Sequence, residues 1–251
     1  MRPPKINAPS DYQPLSNFNI FDIFPTPMLR GTFNYDHGYI ADSCEELLDE
    51  CKELDPNPKR NYTNYFFQDN RKKMYTLPWY RDFANIIKDT YVGFIRNQFD
   101  RDISFLNRKD IHLFSWVSRY EEGIHHDTHN HVKTILSGTY YPRAQGAEQP
   151  IKFYNPSPNV FSHSSPSNCI DGNMPNTQIM GAIGSPMELL IHPIEGEVLL
   201  WPSYLYHSVD EPQNVQEDYS RIAISFNLMH NEPLEDTEDG DSFPYEVLYN
   251  E

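Results

Sequence analysis

Residues 125–131 read HHDTHNH, so seven positions hold His125, His126, His129 and His131 with Asp127 among them. Imidazoles at this density can bind a metal ion, switch charge with pH, or simply face solvent. Residues two apart on an extended strand share a face, so His129 and His131 can meet one ion from adjacent positions. A third ligand must then come from a distant strand, and His207 in WPSYLYHSV is the natural candidate. Imidazole suits iron, zinc, copper and nickel. Three ligand sets stand open. His129, His131 and His207 can form a three-histidine site. Alternatively Asp127 supplies the carboxylate of a two-histidine, one-carboxylate site, since His125 and Asp127 make an H-x-D pair. A bend after Asp127 would allow a mixture of the two.

Such ligands need strands to position them, and the sequence supplies strands where they are needed. After residue 110 the apolar period becomes two, in HLFSWVSRY (112–120) and KTILSGTYY (133–141). Shorter candidates follow: IKFYN (151–155), ELLIH (188–192), GEVLLWP (196–202), LYHSV (205–209) and YSRIAISFNL (219–228). Before residue 110 the pattern is helical. In SCEELLDECKEL, Ser43 and Glu46 fit a capping box, with Leu47, Leu48, Cys51 and Leu54 at helical spacing. A second helix is expected from about Pro78 to Phe99, with Phe83, Ile86, Ile87, Phe94 and Ile95 as its apolar face. NIFDIFPTPMLRGTF reads as a strand entered from an irregular lead. Helices followed by a run of short strands predict a mainly β fold, a sandwich or barrel with helices flanking one side. The Pro-, Ser-, Asn- and Gly-rich loop at 156–187 is long enough to suggest a functional lid.

Composition bounds the function. The 251 residues suffice for one large domain with a buried core. A net charge of −16 opposes binding to phosphate backbones, so nucleic acid is not an expected partner. EPLEDTEDGD at 232–241 reads as a solvated acidic tail. Cys44, Cys51 and Cys169 are too few for a disulfide framework and suggest a reducing, cytoplasmic setting. No stretch reaches the roughly 20 apolar residues of a membrane span, and the N-terminus lacks the apolar core of a secretory signal. Trp116 and Trp201 alternate with apolar neighbours and read as core. His112, His163, His192 and His230 are scattered and read as ordinary.

One longer pattern is specific in combination. WVSRYEEGIHHDTHNHVKTILSGTYY, then IKFYNP, GEVLLWPSYLYHSV and SRIAISFN resemble the iron(II)- and 2-oxoglutarate-dependent oxygenases of bacteria and cyanobacterial phages. FDIFPTPM is similar to the start of the same family, so the likeness runs from about Ile20 to Asn227, with gaps in the helical part and the long loop. The resemblance implies a double-stranded β-helix, the cupin-like jelly roll, with iron at its open mouth. It implies a single oxygenase domain over 1–251: helical support to about 110, jelly-roll core at about 111–230, acidic tail from about 231. If phage-encoded, the protein would work in host cytoplasm.

The resemblance also implies roles. Tyr120 and Gly123 form the family's Y-x-x-G turn, which puts His129 at the first-ligand position. His207 matches the distal histidine, and Arg221 the residue that grips the far carboxylate of 2-oxoglutarate. His131 stands where related prolyl-hydroxylase-like enzymes carry aspartate, which makes the site more positive by one charge. These roles suit the chemistry. Three ligands leave one face of an iron ion open for a chelating 2-oxo acid and dioxygen. A guanidinium is a planar two-pronged donor for a carboxylate. Arg221 shares a strand face with Ala223, Ser225 and Asn227, so Ser225 can add a hydroxyl. Ser137, Thr139 and Tyr141 share a face of the strand after the histidines, where Tyr141 can bond the cosubstrate or serve packing. The expected activity is hydroxylation of an amino-acid, peptidyl or small-molecule C–H bond, with 2-oxoglutarate converted to succinate. The competing reading is a metal-binding cupin that is not an oxygenase: an isomerase, a thiol dioxygenase or a binding module. A scaffold jelly roll with incidental histidines is a third.

Overall fold

The computed structural model describes residues 26–70, 74–99, 110–145, 149–156, 188–212 and 219–230. The expected lid, the acidic tail, Cys169 and His163 lie outside them. Two antiparallel sheets face each other. The larger has the order β1 (Leu29–Thr32), β7 (Glu197–Pro202), β4 (Leu136–Gln145), β9 (Ser220–His230), β2 (Ile111–Tyr120). The smaller has the order β3 (His126–His129), β8 (His207–Val209), β5 (Ile151–Tyr154), β6 (Glu188–Ile191). Non-sequential strands are neighbours in both, which is the jelly-roll arrangement of a double-stranded β-helix. Helices α1 (His37–Leu54) and α2 (Tyr80–Phe99) flank the larger sheet. No helix among the described residues is long and apolar enough to cross a membrane.

Helix α1 begins six residues before the expected capping box at Ser43. Its N-cap is Asp36, whose carboxylate accepts from the Tyr39 amide at 3.0 Å. Ser43 lies inside the helix. Its hydroxyl donates to the Ile40 carbonyl at 3.0 Å and accepts the Trp79 indole N–H at 2.6 Å, so it ties α1 to the start of α2. Ile40, Cys44, Leu47, Leu48 and Cys51 form the buried stripe. From α2, Phe83, Ile87, Tyr91, Phe94 and Ile95 are buried, while Ile86 is only partly so.

These helices cover one face of the larger sheet. Ile222, Ile224, Phe226 and Leu228 of β9 join Leu136 and Tyr140 of β4 in that core. Gly138 permits it. A Cβ there would sit 2.4 Å from the Phe226 ring and 2.6 Å from the Leu199 carbonyl, so only glycine lets Phe226 cross the strand. Arg119 and Arg143 fasten α1 to the sheet through Glu45, Asp49 and Asp42. The opposite face of the sheet, with the smaller sheet, encloses a second cluster that includes Tyr120, Tyr141, Phe153, Leu199 and Trp201.

Candidate metal centre

Strand β8 sits between β3 and β5, and this brings His207 opposite His129 in register. Pairing on β3 is irregular: His126 opposes Val209 and His129 opposes His207, three residues against two. The bulge turns His126 and His129 to the same side. His125 and Asp127 are thereby sent outward. The Asp127 carboxylate is 95% exposed and lies 3.7 Å from the His125 ring. A straight strand would have put residues 125, 127, 129 and 131 together. The bulge breaks that parity, so Asp127 does not meet the imidazole cluster and supplies only its backbone carbonyl to it.

The ligand atoms of His129, His131 and His207 all lie within 4.8 Å of one another. The Nε2 atoms of His131 and His207 are 3.3 Å apart, with the two rings nearly parallel. The His129 and His207 ring centroids are 4.4 Å apart. Two of the rings are oriented from behind. His129 Nδ1 donates to the Asp127 carbonyl at 2.6 Å, and His207 Nδ1 to the Leu205 carbonyl at 3.0 Å. An Nδ1–H held on a carbonyl leaves the Nε2 lone pair free for a metal. Burial, reinforced by neighbouring imidazoles, holds His207 well below its ordinary value, at about 4, and His131 at about 3. Both rings are therefore neutral donors near pH 7. The donor set fits a divalent transition ion, iron(II) among them.

The same cavity, of about 520 Å³, reaches Arg221. This guanidinium is 1% exposed. Its Nη1 donates to the Gln149 carbonyl at 2.8 Å, and its plane lies 4.3 Å from the Tyr120 ring centre and 5.2 Å from that of Tyr141. Its Nε has no partner among the described residues, and neither has the buried indole N–H of Trp201 in the same cavity. Among the described residues no carboxylate pairs with Arg221. Unpaired donors in this cavity match a ligand that only accepts, and 2-oxoglutarate carries an acceptor-rich carboxylate at each end.

The other expected residues divide. Tyr141 and Ser225 line the cavity. Ser137 does not; its hydroxyl donates to Asn227 Oδ1 at 2.8 Å and meets Ser203 Oγ at 2.9 Å, so it holds Asn227, which does line it. Trp116 and Trp201 are buried as expected, yet both also line the cavity. Sequence reasoning gave His126 no role. Its Nδ1 is 3.1 Å from the Tyr120 hydroxyl, and burial holds it down at about 4. It links the imidazole cluster to the tyrosine under Arg221. Only the bulge brings it inward, and nothing in the sequence marks a bulge there. The Y-x-x-G turn is present: Gly123 has φ 84°, a left-handed conformation that favours glycine.

Part of the chain is similar to a known family. The family described as "Putative 2OG-Fe(II) oxygenase" matches residues 114–227. The span runs from β2 through all three clustered histidines to β9, and over it the chain is similar to that family. Three solved structures are similar. A prolyl-4-hydroxylase from Pseudomonas putida is 11% identical, with 81% of this chain and 88% of that one covered and a TM-score of 0.43. HygX from Streptomyces hygroscopicus, solved with nickel and 2-oxoglutarate bound, is 13% identical over 81% and 82%, with a TM-score of 0.45. An oxidoreductase of the 2OG-Fe(II) oxygenase family from Burkholderia pseudomallei is 10% identical, with a TM-score of 0.30; the match covers 46% of this chain and only 44% of that protein. No curated protein matches the sequence.

Proposed function

We propose that the whole chain serves as one iron(II)- and 2-oxoglutarate-dependent oxygenase domain that hydroxylates a C–H bond. His129, His131 and His207 would hold the ion through ring nitrogens, and three protein ligands would leave room for 2-oxoglutarate and dioxygen. Arg221 binds the distal carboxylate of 2-oxoglutarate, with Tyr141 and Ser225 beside it. Ser137 acts through Asn227 as a positioning residue. When bound, iron(II) with 2-oxoglutarate supplies the oxidising power for C–H hydroxylation. The reaction balances: 2-oxoglutarate, dioxygen and R–H give succinate, carbon dioxide and R–OH. The chain's own part is to bind, to orient and to exclude water.

The observation that carries this reading is Arg221. A buried charge without a counter-ion costs about several kcal/mol. It is tolerated where a ligand brings the opposite charge, and 2-oxoglutarate does so beside a three-imidazole cluster. A metal-binding cupin that is not an oxygenase has no use for such an anchor. The acidic net charge favours an amino-acid, peptidyl or small-molecule substrate over nucleic acid.

Anaerobic titration with iron(II) and 2-oxoglutarate tests the reading. The weak visible metal-to-ligand band of the chelate is expected in the wild-type protein. It weakens in Arg221→Ala and vanishes in His207→Ala. No band, with no 2-oxoglutarate turnover by the reconstituted protein, leaves the binding-module alternative standing.

A further inference from the structure

Beyond the imidazoles the cavity continues to solvent along a wall made of rings. Tyr65 and Phe66 come from the 3₁₀ segment Asn64–Asn70, and Phe114 and Trp116 from β2. That segment is anchored on β2: Asn64 Oδ1 accepts the Val117 amide, and the Thr63 hydroxyl donates to the Val117 carbonyl, both at 2.8 Å. Tyr65 meets Phe66, Phe114 and Trp116 edge to face, at centroid distances of 5.5, 5.9 and 5.4 Å. The Trp116 ring lies 6.0 Å from that of His131, so the wall ends at the imidazole cluster. Its outer end is open: Tyr65 and Phe66 are 36% and 40% exposed, while Phe114 and Trp116 are buried. Fixed, partly bare rings beside a cavity are surface that a ligand can cover with gain.

Charge narrows what that ligand can be. Among the described residues lining the cavity, the one carboxylate is Asp127's, and it faces solvent. A dication and the Arg221 guanidinium, set against a 2-oxoglutarate dianion, leave one positive charge in excess, because the three ligands are neutral. An ammonium group entering there is repelled, and in a partly dry cavity the repulsion is strong. Two cavity hydroxyls are already used, while that of Ser118 has no partner among the described residues and can serve a neutral polar group. Thr63 is spent on Val117, and Thr134 donates to the Leu136 and Leu228 carbonyls at 3.1 and 3.0 Å. A cationic group on the substrate would lose its hydration and find no inward-facing carboxylate among the described lining residues to replace it.

We infer that this wall is the substrate subsite and takes an uncharged, ring-bearing apolar group, aromatic or alicyclic, in preference to an amine or a free amino acid. The inference rests on the oxygenase reading, since it sets the charge at the centre with iron(II) and 2-oxoglutarate bound. Indole, tryptamine and indole-3-acetate share one ring system and differ in charge, which makes them suitable probes. The protein, labelled with 5-fluorotryptophan at its three tryptophans and loaded with zinc(II) and 2-oxoglutarate, is titrated with each. The ¹⁹F resonance of Trp116, assigned with Trp116→Phe, is expected to shift saturably with indole. Tryptamine should bind at least about tenfold more weakly, as an unscreened like charge requires. Phe66→Ala and Tyr65→Ala, both at the open rim, should each weaken indole several-fold, whereas Leu189→Ala, outside the cavity, should not. Tryptamine binding as tightly as indole, or indole binding untouched by both rim variants, overturns the inference. The visible band of the wild-type iron(II) complex, recorded in parallel, separates the two ideas. With the band present, a failure of the probes sinks the substrate class alone; without it, the oxygenase reading itself falls.

Discussion

On β9, Ile222, Ile224, Phe226 and Leu228 point toward the helices, whereas Arg221, Ala223, Ser225 and Asn227 point into the cavity. The same strand, in one pleat, therefore serves two solvents. Its helix face meets α1 and α2 in a dry core where the hydrophobic term and close packing decide everything. Its cavity face carries a guanidinium, a hydroxyl and an amide, and the fold alone leaves the guanidinium Nε without a partner among the described residues. On β4, Leu136 and Tyr140 belong to the first kind, Thr139 and Tyr141 to the second. The lesson is that stability and function are written on alternate residues and should be separable by mutation.

The largest effect is expected from the helix face. Phe226 is fully buried and packs 5.9 Å from Phe83. Phe226→Ala should cost about 3–5 kcal/mol by the general cost of emptying a core site. Urea denaturation measures it, and the affinity of the folded fraction for iron(II) and 2-oxoglutarate should stay unchanged. Gly138→Ala comes next. Its new methyl would strike the Phe226 ring and the Leu199 carbonyl, which should cost about 1–3 kcal/mol. Combining it with Phe226→Leu should recover part of that loss, because the clash is with the ring. Loss of iron binding at the same denaturant-free stability in Phe226→Ala would mean that the two faces are coupled after all.

The two faces were also unequally legible. Alternation in HLFSWVSRY and YSRIAISFNL shows which residues share a face, and those strands form as Ile111–Tyr120 and Ser220–His230. The pairing of His129, His131 and His207 could be argued because H-x-H and a histidine on a strand-like segment are local patterns. Strand β3 could not be read. Its four residues contain no apolar alternation, and its inward set is decided by a bulge against β8. Hence the sequence offers Asp127 as a ligand and gives His126 no role, whereas the Asp127 side chain faces solvent and that of His126 turns inward. The start of α1 is hidden in the sequence because Ser43 and Glu46 imitate a cap. Tertiary burial of Ile40 and Ala41 carries the helix about two turns further back, to Asp36. Ser137 follows the alternation but is covered by Ser203 and Asn227, a contact across strands that no local pattern announces.

On the cavity face a substitution should separate stability from binding in the opposite sense. Arg221 is buried without a carboxylate among the described residues, so the ligand-free protein bears the cost of its desolvation. The Gln149 carbonyl and the two tyrosine rings offset only part of it. Arg221→Met should therefore stabilise the ligand-free protein by about 1–2 kcal/mol, since apolar replacement of buried charge is often favourable. Thermal unfolding without ligand should show Tm rising. The same variant should lose 2-oxoglutarate affinity by about a hundredfold, the loss of a charge-assisted bidentate contact. A fall in Tm would mean that a carboxylate already neutralises this guanidinium.

The smallest effect belongs to a residue the sequence made prominent. Asp127 sits in the middle of HHDTHNH, and in a straight strand its carboxylate would complete a two-histidine, one-carboxylate site. With the bulge, its side chain faces solvent and lies 3.7 Å from the His125 ring. Its backbone carbonyl, which orients His129, is unaffected by the side chain. Asp127→Asn should then change stability by less than about 0.5 kcal/mol. It should leave iron(II) affinity and the visible band of the 2-oxoglutarate complex where they are. Spectroscopic titration of this variant against His131→Ala decides the ligand set directly. If Asp127→Asn weakens iron as much as His131→Ala does, β3 straightens when metal binds and the carboxylate turns inward. If only His131→Ala weakens it, the centre is held by three neutral imidazoles, and the excess positive charge that the aromatic wall must accommodate follows from that.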